Sequence, residues 1–159
     1  MSATVRDWMH RDVRTVGEDL SLVELDRRFL DDRVSGFPVV ASDGRLLGVV
    51  SRSDVVRQLS VEQTWAETLS GYYTDWSGLE EGEPSLADVG ERVGRRLEER
   101  SVADVMAREP VTVGPDAPLA DAARVLVERR IHRLPVVEGD RLVGILTSLD
   151  VARFVAKHG

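Results

Sequence analysis

Two short segments combine hydroxyl and carboxylate side chains in a pattern suited to ligand binding. Ser51-Arg52-Ser53-Asp54 follows one apolar, β-rich run, and Thr147-Ser148-Leu149-Asp150 follows another. Each segment is predicted to join a strand to a helix, so the hydroxyl can cap the helix while free N–H groups and the helix dipole attract an anion. This geometry suits a phosphate or a ribose. The same spacing also describes a helix capping box, which is a purely structural role.

Other patterns of catalytic and metal-binding residues are missing from the sequence. It has no cysteine, and His10, His132 and His158 are dispersed without the spacing of metal ligands. Neither a G-x-x-x-x-G-K-[ST] phosphate loop nor a G-x-S-x-G nucleophile elbow occurs. We therefore expect no catalytic residues and no metal site, and a binding protein rather than an enzyme.

The composition excludes some classes of binding partner. The 159 residues carry a formal net charge of −7, which argues against a protein that binds nucleic acid through its phosphates. No run approaches the roughly 20 apolar residues of a membrane span, and the charged N-terminal stretch does not resemble a secretory signal. We expect a cytoplasmic protein that binds neither membranes nor nucleic acid directly.

The chain contains an internal repeat. Val5–Met9 recurs 97 positions later as Val102–Met106, and the same offset relates two segments that contain Pro-Val-Val. After the next turn the offset falls to 96, which relates Leu46–Ser51 to Leu142–Thr147. A one-residue deletion confined to a turn is expected of two copies of one folded unit.

Each copy predicts the element order β-α-β-β-α. Short β segments at 15–16 and 111–113 precede a helix, which is followed by two strands joined by a tight turn and by a second helix. This order predicts an α+β fold with helices on one face of a small mixed sheet. The apolar positions predicted for the first helix are Leu22, Leu25, Phe29 and Leu30 in one copy, and Leu119, Ala122, Ala123, Leu126 and Val127 in the other.

The ordered set V-x-D-x-M, helix, P-V-V and L-h-G-h-h-[ST]-x-x-D, with h apolar, resembles the signature of the cystathionine β-synthase (CBS) domain. It covers residues 5–55 and again 102–151. The resemblance implies two β-α-β-β-α repeats packed about a pseudo-twofold axis. We expect repeat one at 1–60, a helical and aromatic insert at 61–100, and repeat two at 101–159.

The insert leaves two interpretations open. A capping signal at Ser85 and Asp88 begins a predicted helix whose apolar stripe ends near Leu97. This stripe can pack on the CBS core or on a second chain, or it can dock a regulated target together with the nearby aromatic residues.

The resemblance also assigns roles to residues at matching positions. It implies that Asp54 and Asp150 bind ribose and that Ser51 and Thr147 lie near phosphate. The pair His132-Arg133 is similar to a basic pair that contacts phosphate in the γ subunit of AMP-activated protein kinase. The positions assigned to the base are Ser35, Gly36, Phe37 and Ile131.

The two binding sites are expected to be unequal. Repeat one has Ser35-Gly36 where repeat two has His132-Arg133, so each chain has one basic pair. One tight site per chain should follow, since an arginine can form two parallel hydrogen bonds to an oxyanion. Asp54 is favoured over Asp150 as its ribose partner, because the kinase basic pair can reach across the pseudo-twofold axis.

By resemblance, the function is regulatory. The expected ligand is AMP, ADP or ATP, with S-adenosylmethionine, NAD or a cyclic dinucleotide as alternatives, and no cofactor is required. The regulated protein cannot be read from the residues. The alternative is a structural interaction module whose clefts stay empty. A homodimer is expected from surplus apolar residues on the second helix of each repeat, which are Val55, Val56 and Leu59, and Val151, Phe154 and Val155.

Overall fold

A computed structural model of the chain describes residues 3–61 and 94–159. Repeat one contains helices α1 (Val5–Trp8) and α2 (Leu22–Asp32), strands β1 (Gly36–Val40) and β2 (Leu46–Ser51), and helical residues 52–61, called α3. Helical residues 94–99 are called α4. Repeat two contains α5 (Val102–Val105), α6 (Leu119–Arg129), β3 (Arg133–Glu138), β4 (Arg141–Thr147) and α7 (Ser148–His158).

The described residues form two compact units that do not coincide with the two repeats. The terminal unit contains the described residues 3–17, 38–49 and 107–159. The middle unit contains the described residues 18–37, 50–61 and 94–106. Each unit therefore combines segments from both halves of the sequence.

In the terminal unit, the start of the chain joins the core of repeat two. The N–H of Val5 donates to the carbonyl of Ala117 at 3.0 Å. β3 and β4 pair antiparallel, and Arg133 and Thr147 face each other at one end of the ladder. The buried core consists of Val5, Met9, Leu119, Ala122, Leu126, Leu134, Val136 and Leu146.

In the middle unit, the segment that leads into repeat two pairs with repeat one. The N–H of Leu22 donates to the carbonyl of Arg100 at 3.0 Å, and the N–H of Val102 donates to the carbonyl of Leu20 at 2.9 Å. The rings of Phe29 and Phe37 stack with their centroids 5.2 Å apart, and both side chains are buried. A segment of repeat two thus packs beside α2 of repeat one.

The mixed α+β fold in two repeats agrees with the prediction. The segments predicted as short strands form single parallel bridges, Val16 with Val39 and Val113 with Val136. Among the apolar positions of α2 and α6, Leu30 and Val127 are exposed.

The surplus apolar surface expected on α3 and α7 is smaller than predicted. Val55 lies in the core, while Val56 and Val155 are more than half exposed. Val151 and Phe154 are partly buried against the core of the terminal unit. The start of the predicted insert helix lies outside the described residues. None of the helices in the described ranges is both long and apolar enough to cross a bilayer.

Candidate binding site at the strand–helix junctions

In repeat two, the junction between β4 and α7 is a complete capping box. The N–H and hydroxyl of Thr147 donate to Oδ2 of Asp150 at 2.9 and 2.6 Å. The N–H of Asp150 donates in return to Oγ1 of Thr147 at 3.2 Å. These bonds pair N–H groups that the first turn of an α-helix would otherwise leave unpaired.

The other carboxylate oxygen of Asp150 is held by two further side chains. Nε2 of His10 lies 2.9 Å from Oδ1, and Nη1 of Arg153 donates to it at 3.2 Å. The Asp150 side chain is only 3% exposed. Burial alone would raise the pKa of its carboxyl group, but the Thr147 hydrogen bonds and nearby His10 outweigh burial and lower this pKa below the ordinary 3.8.

In repeat one, the carboxylate at the junction between β2 and α3 has three of the same contacts. The N–H and hydroxyl of Ser51 donate to Oδ2 of Asp54 at 2.7 and 3.0 Å. Nη1 of Arg57 donates to Oδ1 at 3.3 Å, as Arg153 does to Asp150. The side chain of Asp54 is 19% exposed, so its carboxylate is more accessible than that of Asp150.

The first helical N–H of each junction is not free, contrary to the sequence prediction. The N–H of Ser148 donates to the carbonyl of His132 at 3.0 Å, and the N–H of Arg52 donates to the carbonyl of Ser35 at 3.0 Å. The chain entering β1 or β3 therefore takes a donor that was expected to face a ligand. The same bonds bring Ser35, which was predicted to contact the base, to the junction of repeat one. They bring His132, which was predicted to contact phosphate, to the junction of repeat two.

In repeat two, the predicted residues lie together at the end of the β3–β4 hairpin. Arg130 at φ 54° ends α6 in the left-handed region and turns the chain towards β3. Ile131 and His132 follow, and Arg133 is the cross-strand partner of Thr147. An open pocket of about 280 Å³ is lined by Leu126, Val127, Arg130, Ile131, His132 and Ser148. It is below the usual size of pockets that bury a whole small-molecule ligand.

In repeat one, the residues predicted to contact the nucleotide base differ in how exposed they are. Ser35 is exposed and Gly36 is partly buried, so both lie within reach of the surface. The Phe37 side chain is buried against Phe29, so its ring serves the core of the middle unit. Only the backbone of Phe37 is available for the predicted role.

Sequence reasoning missed one residue of the site, His10. The backbone N–H of His10 donates to the carbonyl of Ile145 at 2.9 Å, and the N–H of Ile145 donates to the carbonyl of His10 at 2.9 Å. These two bonds fix the segment around His10 against β4. The side chain is then directed at Asp150, which is 140 residues away in the sequence. No local spacing signals such a contact, although a histidine directly after V-x-D-x-M in only one repeat was visible.

The two junctions, repeated in an α+β chain, define a tandem CBS-domain protein. The sequence profile of the CBS domain matches residues 5–61 and 102–157. The chain belongs to the CBS-domain family.

Curated relatives include proteins of similar and of greater length. MJ1426 of Methanocaldococcus jannaschii is 30% identical over 158 residues, which cover 92% of this chain and 88% of that protein. CBSX2, a chloroplastic CBS domain-containing protein of Arabidopsis thaliana, is 30% identical over 156 residues, which cover 94% of this chain and 62% of that protein.

Solved structures have the same fold. The crystal structure of CBSX2 in complex with AMP superposes with a TM-score of 0.69 at 27% identity, covering 97% of this chain and 96% of that one. The CBS domain pair of MJ0100, solved with 5-methylthioadenosine and S-adenosyl-L-methionine, superposes with a TM-score of 0.66. Its 18% identity over the full length of both chains supports the fold alone.

Proposed function

We propose that this protein is a regulatory module that binds an adenine nucleotide or adenosyl ligand and thereby changes how it engages a partner protein. The single observation that carries the proposal is the similarity to CBSX2, which has been crystallised with AMP. The CBS fold is common to both proteins, and the proposed ligand is the one that the sequence implied. Binding rather than catalysis is proposed, in the cytoplasm.

The local geometry supports a nucleoside ligand in repeat one. Asp54 presents a partly exposed carboxylate, which can accept hydrogen bonds from ribose hydroxyls. Ser35 and Gly36 are brought to the same junction by the bond between the N–H of Arg52 and the carbonyl of Ser35. A ribose acceptor and accessible backbone therefore lie within one unit.

A titration of purified protein tests this function. Isothermal calorimetry with AMP, ADP, ATP, S-adenosylmethionine, NAD and cyclic di-AMP should give at least one ligand that binds at physiological concentration. GMP is the matched control, because it keeps the ribose and phosphate and changes only the base. Saturable binding of an adenine ligand, at least about tenfold tighter than GMP, supports the proposal. The absence of binding by every adenine compound overturns it.

A structural interaction module with empty sites is the second candidate. It is favoured by the capping box of repeat two, whose Asp150 is already satisfied by protein groups. It is also favoured by the exposed apolar side chains of Val127, Leu149 and Val155 on the terminal unit. A stable assembly that forms without ligand, together with no binding of any adenine compound in the titration, would support this candidate.

A further inference from the structure

We infer that His10 withholds Asp150 from ligand, so that His10 decides which of the two repeats binds a ribose. This inference rests on the proposed function, because it concerns which junction serves as the adenosine site. It starts from a difference between the carboxylates of Asp54 and Asp150, whose other hydrogen bonds match.

The acceptor positions of the two carboxylates are filled differently. A carboxylate has about four lone-pair positions. In Asp150, Thr147 uses two of them on Oδ2, while His10 and Arg153 use two on Oδ1. This carboxylate has no position left for a ribose hydroxyl.

The carboxylate of Asp54 lacks only the contact that His10 supplies to the carboxylate of Asp150. Within the described part of the chain, Ser51 uses two positions on Oδ2 and Arg57 uses one on Oδ1. One acceptor position therefore stays open on the more exposed carboxylate. The open position matches the one that His10 occupies in repeat two.

The internal repeat explains why only one junction has this contact. His10 and Ile145 form an antiparallel bridge, and Ala107 forms the corresponding bridge with Val49. Ala107 is the repeat partner of His10 at the offset of 97. Alanine has no side-chain donor, whereas the His10 N–H can reach a carboxylate.

The position of His10 is suited to covering Asp150. The His10 side chain is 55% exposed, while the Asp150 side chain beneath it is 3% exposed. The imidazole therefore lies on the solvent side of the carboxylate. A ribose hydroxyl that reached Oδ1 would have to displace the imidazole and break a hydrogen bond to a charged group.

Calorimetry with AMP on His10→Ala tests the inference. Wild-type protein should bind one AMP tightly per chain, and His10→Ala should tighten the second site about tenfold or more, because Oδ1 becomes available. His10→Gln keeps an N–H donor at similar reach and should remain at one site. His158→Ala, a histidine change elsewhere in the terminal unit, should also leave the wild-type isotherm unchanged.

The outcomes separate the inference from the proposed function. A second phase that appears in His10→Ala and disappears in the double variant His10→Ala/Asp150→Asn supports the inference. An unchanged single phase in His10→Ala, or two tight sites in wild-type protein, overturns the inference alone. No binding by wild-type protein overturns the proposed function and this inference with it.

Discussion

Gly144 and His10 are in such close contact that the glycine has no room for a side chain. A β-carbon at Gly144 would lie 2.9 Å from the carbonyl oxygen of His10 and 2.6 Å from Sδ of Met9. Gly144 lies in β4 next to Ile145, the residue whose backbone holds His10. The absence of a β-carbon therefore lets the segment that carries His10 pass closely over the strand.

The change Gly144→Ala should destabilise the protein by about 1–3 kcal/mol, which is the usual cost of overpacking. The Met9 side chain can move, but the His10 carbonyl is backbone and must shift with its segment. Urea denaturation followed by circular dichroism measures the effect. Gly114→Ala is the control, because nothing lies within 4 Å of the β-carbon it would add. Equal stabilities for the two variants would contradict the close approach.

Because Phe29 and Phe37 stack in the core of the middle unit, removing the Phe29 ring should lower stability substantially. Phe29→Ala should cost about 3–5 kcal/mol, because a buried ring is replaced by a cavity. Asp26→Ala, an exposed change on the same helix, should stay within about 0.5 kcal/mol of wild type. Thermal and urea unfolding of both variants provide the comparison, and a cost below about 1 kcal/mol for Phe29→Ala would argue against a buried stack.

The lowered pKa of Asp150 predicts that acid weakens the fold. The folded-state pKa lies below the ordinary 3.8, so the ionised carboxylate stabilises the protein above the unfolded pKa. This contribution is lost as pH falls from about 4 through the folded pKa, because both states then bind the proton. Urea unfolding between pH 7 and pH 3 should show a shallower pH dependence in Asp150→Asn.

Asp150→Asn should also lower stability at pH 7 by about 1–3 kcal/mol, since the amide cannot accept all four hydrogen bonds. Asp121→Asn changes an exposed aspartate that forms a surface ion pair with Arg124, and it serves as the control. A pH profile of Asp150→Asn that parallels wild type would show that the carboxylate is not the group responsible.

The exposed apolar side chains of α6 and α7 predict a homodimer. Val127, Leu149 and Val155 are all more than half exposed on the terminal unit. We predict that these three side chains belong to one apolar patch that a second copy of the chain covers, since contiguous apolar surface usually marks an interface. Light scattering should give the mass of a dimer at micromolar concentration, and Val155→Asp should shift it towards the monomer. Ala152→Asp adds the same charge at an exposed position of the same helix, so it controls for charge alone. A monomeric wild-type protein would contradict the prediction.

The predicted contact between Arg133 and phosphate can be tested separately from binding of the nucleoside. Arg133→Ala should weaken AMP about tenfold or more and leave adenosine nearly unchanged, because the guanidinium contributes only where a phosphate is present. Calorimetry with both ligands gives the ratio directly. Equal losses for AMP and adenosine would assign Arg133 a structural role at the end of β3. No loss for either would remove it from the site.

Local patterns in the sequence predicted the elements, and the capping box that they offered as a structural alternative is complete at Thr147 and Asp150. Ser51 with Asp54 and Thr147 with Asp150 are three residues apart, so helix geometry alone brings them together. The same reasoning applies to Asp7 of the V-x-D-x-M motif, which accepts hydrogen bonds from Thr4, although that role was not predicted.

The remaining features depend on contacts that local spacing does not encode. His10 reaches Asp150 only because β4 holds its backbone, which requires pairing between distant parts of the chain. Which apolar helix positions are exposed, as Leu30 and Val127 are, depends on tertiary packing. The roles of the site residues, the domain bounds and the homodimer stay predictions.

The exchange of segments between repeats also has a consequence for biosynthesis. Arg6 donates to Glu138, 132 residues further along, and Val5 belongs to the same core as Leu146. Arg6 and Val5 therefore lack these distant partners until residues 138 and 146 have been synthesised. Contacts of such high sequence separation slow folding, because loop closure comes before the stabilising contacts. A nascent chain halted after repeat one would keep Val5 and Met9 exposed, which makes it a substrate for chaperones or for aggregation.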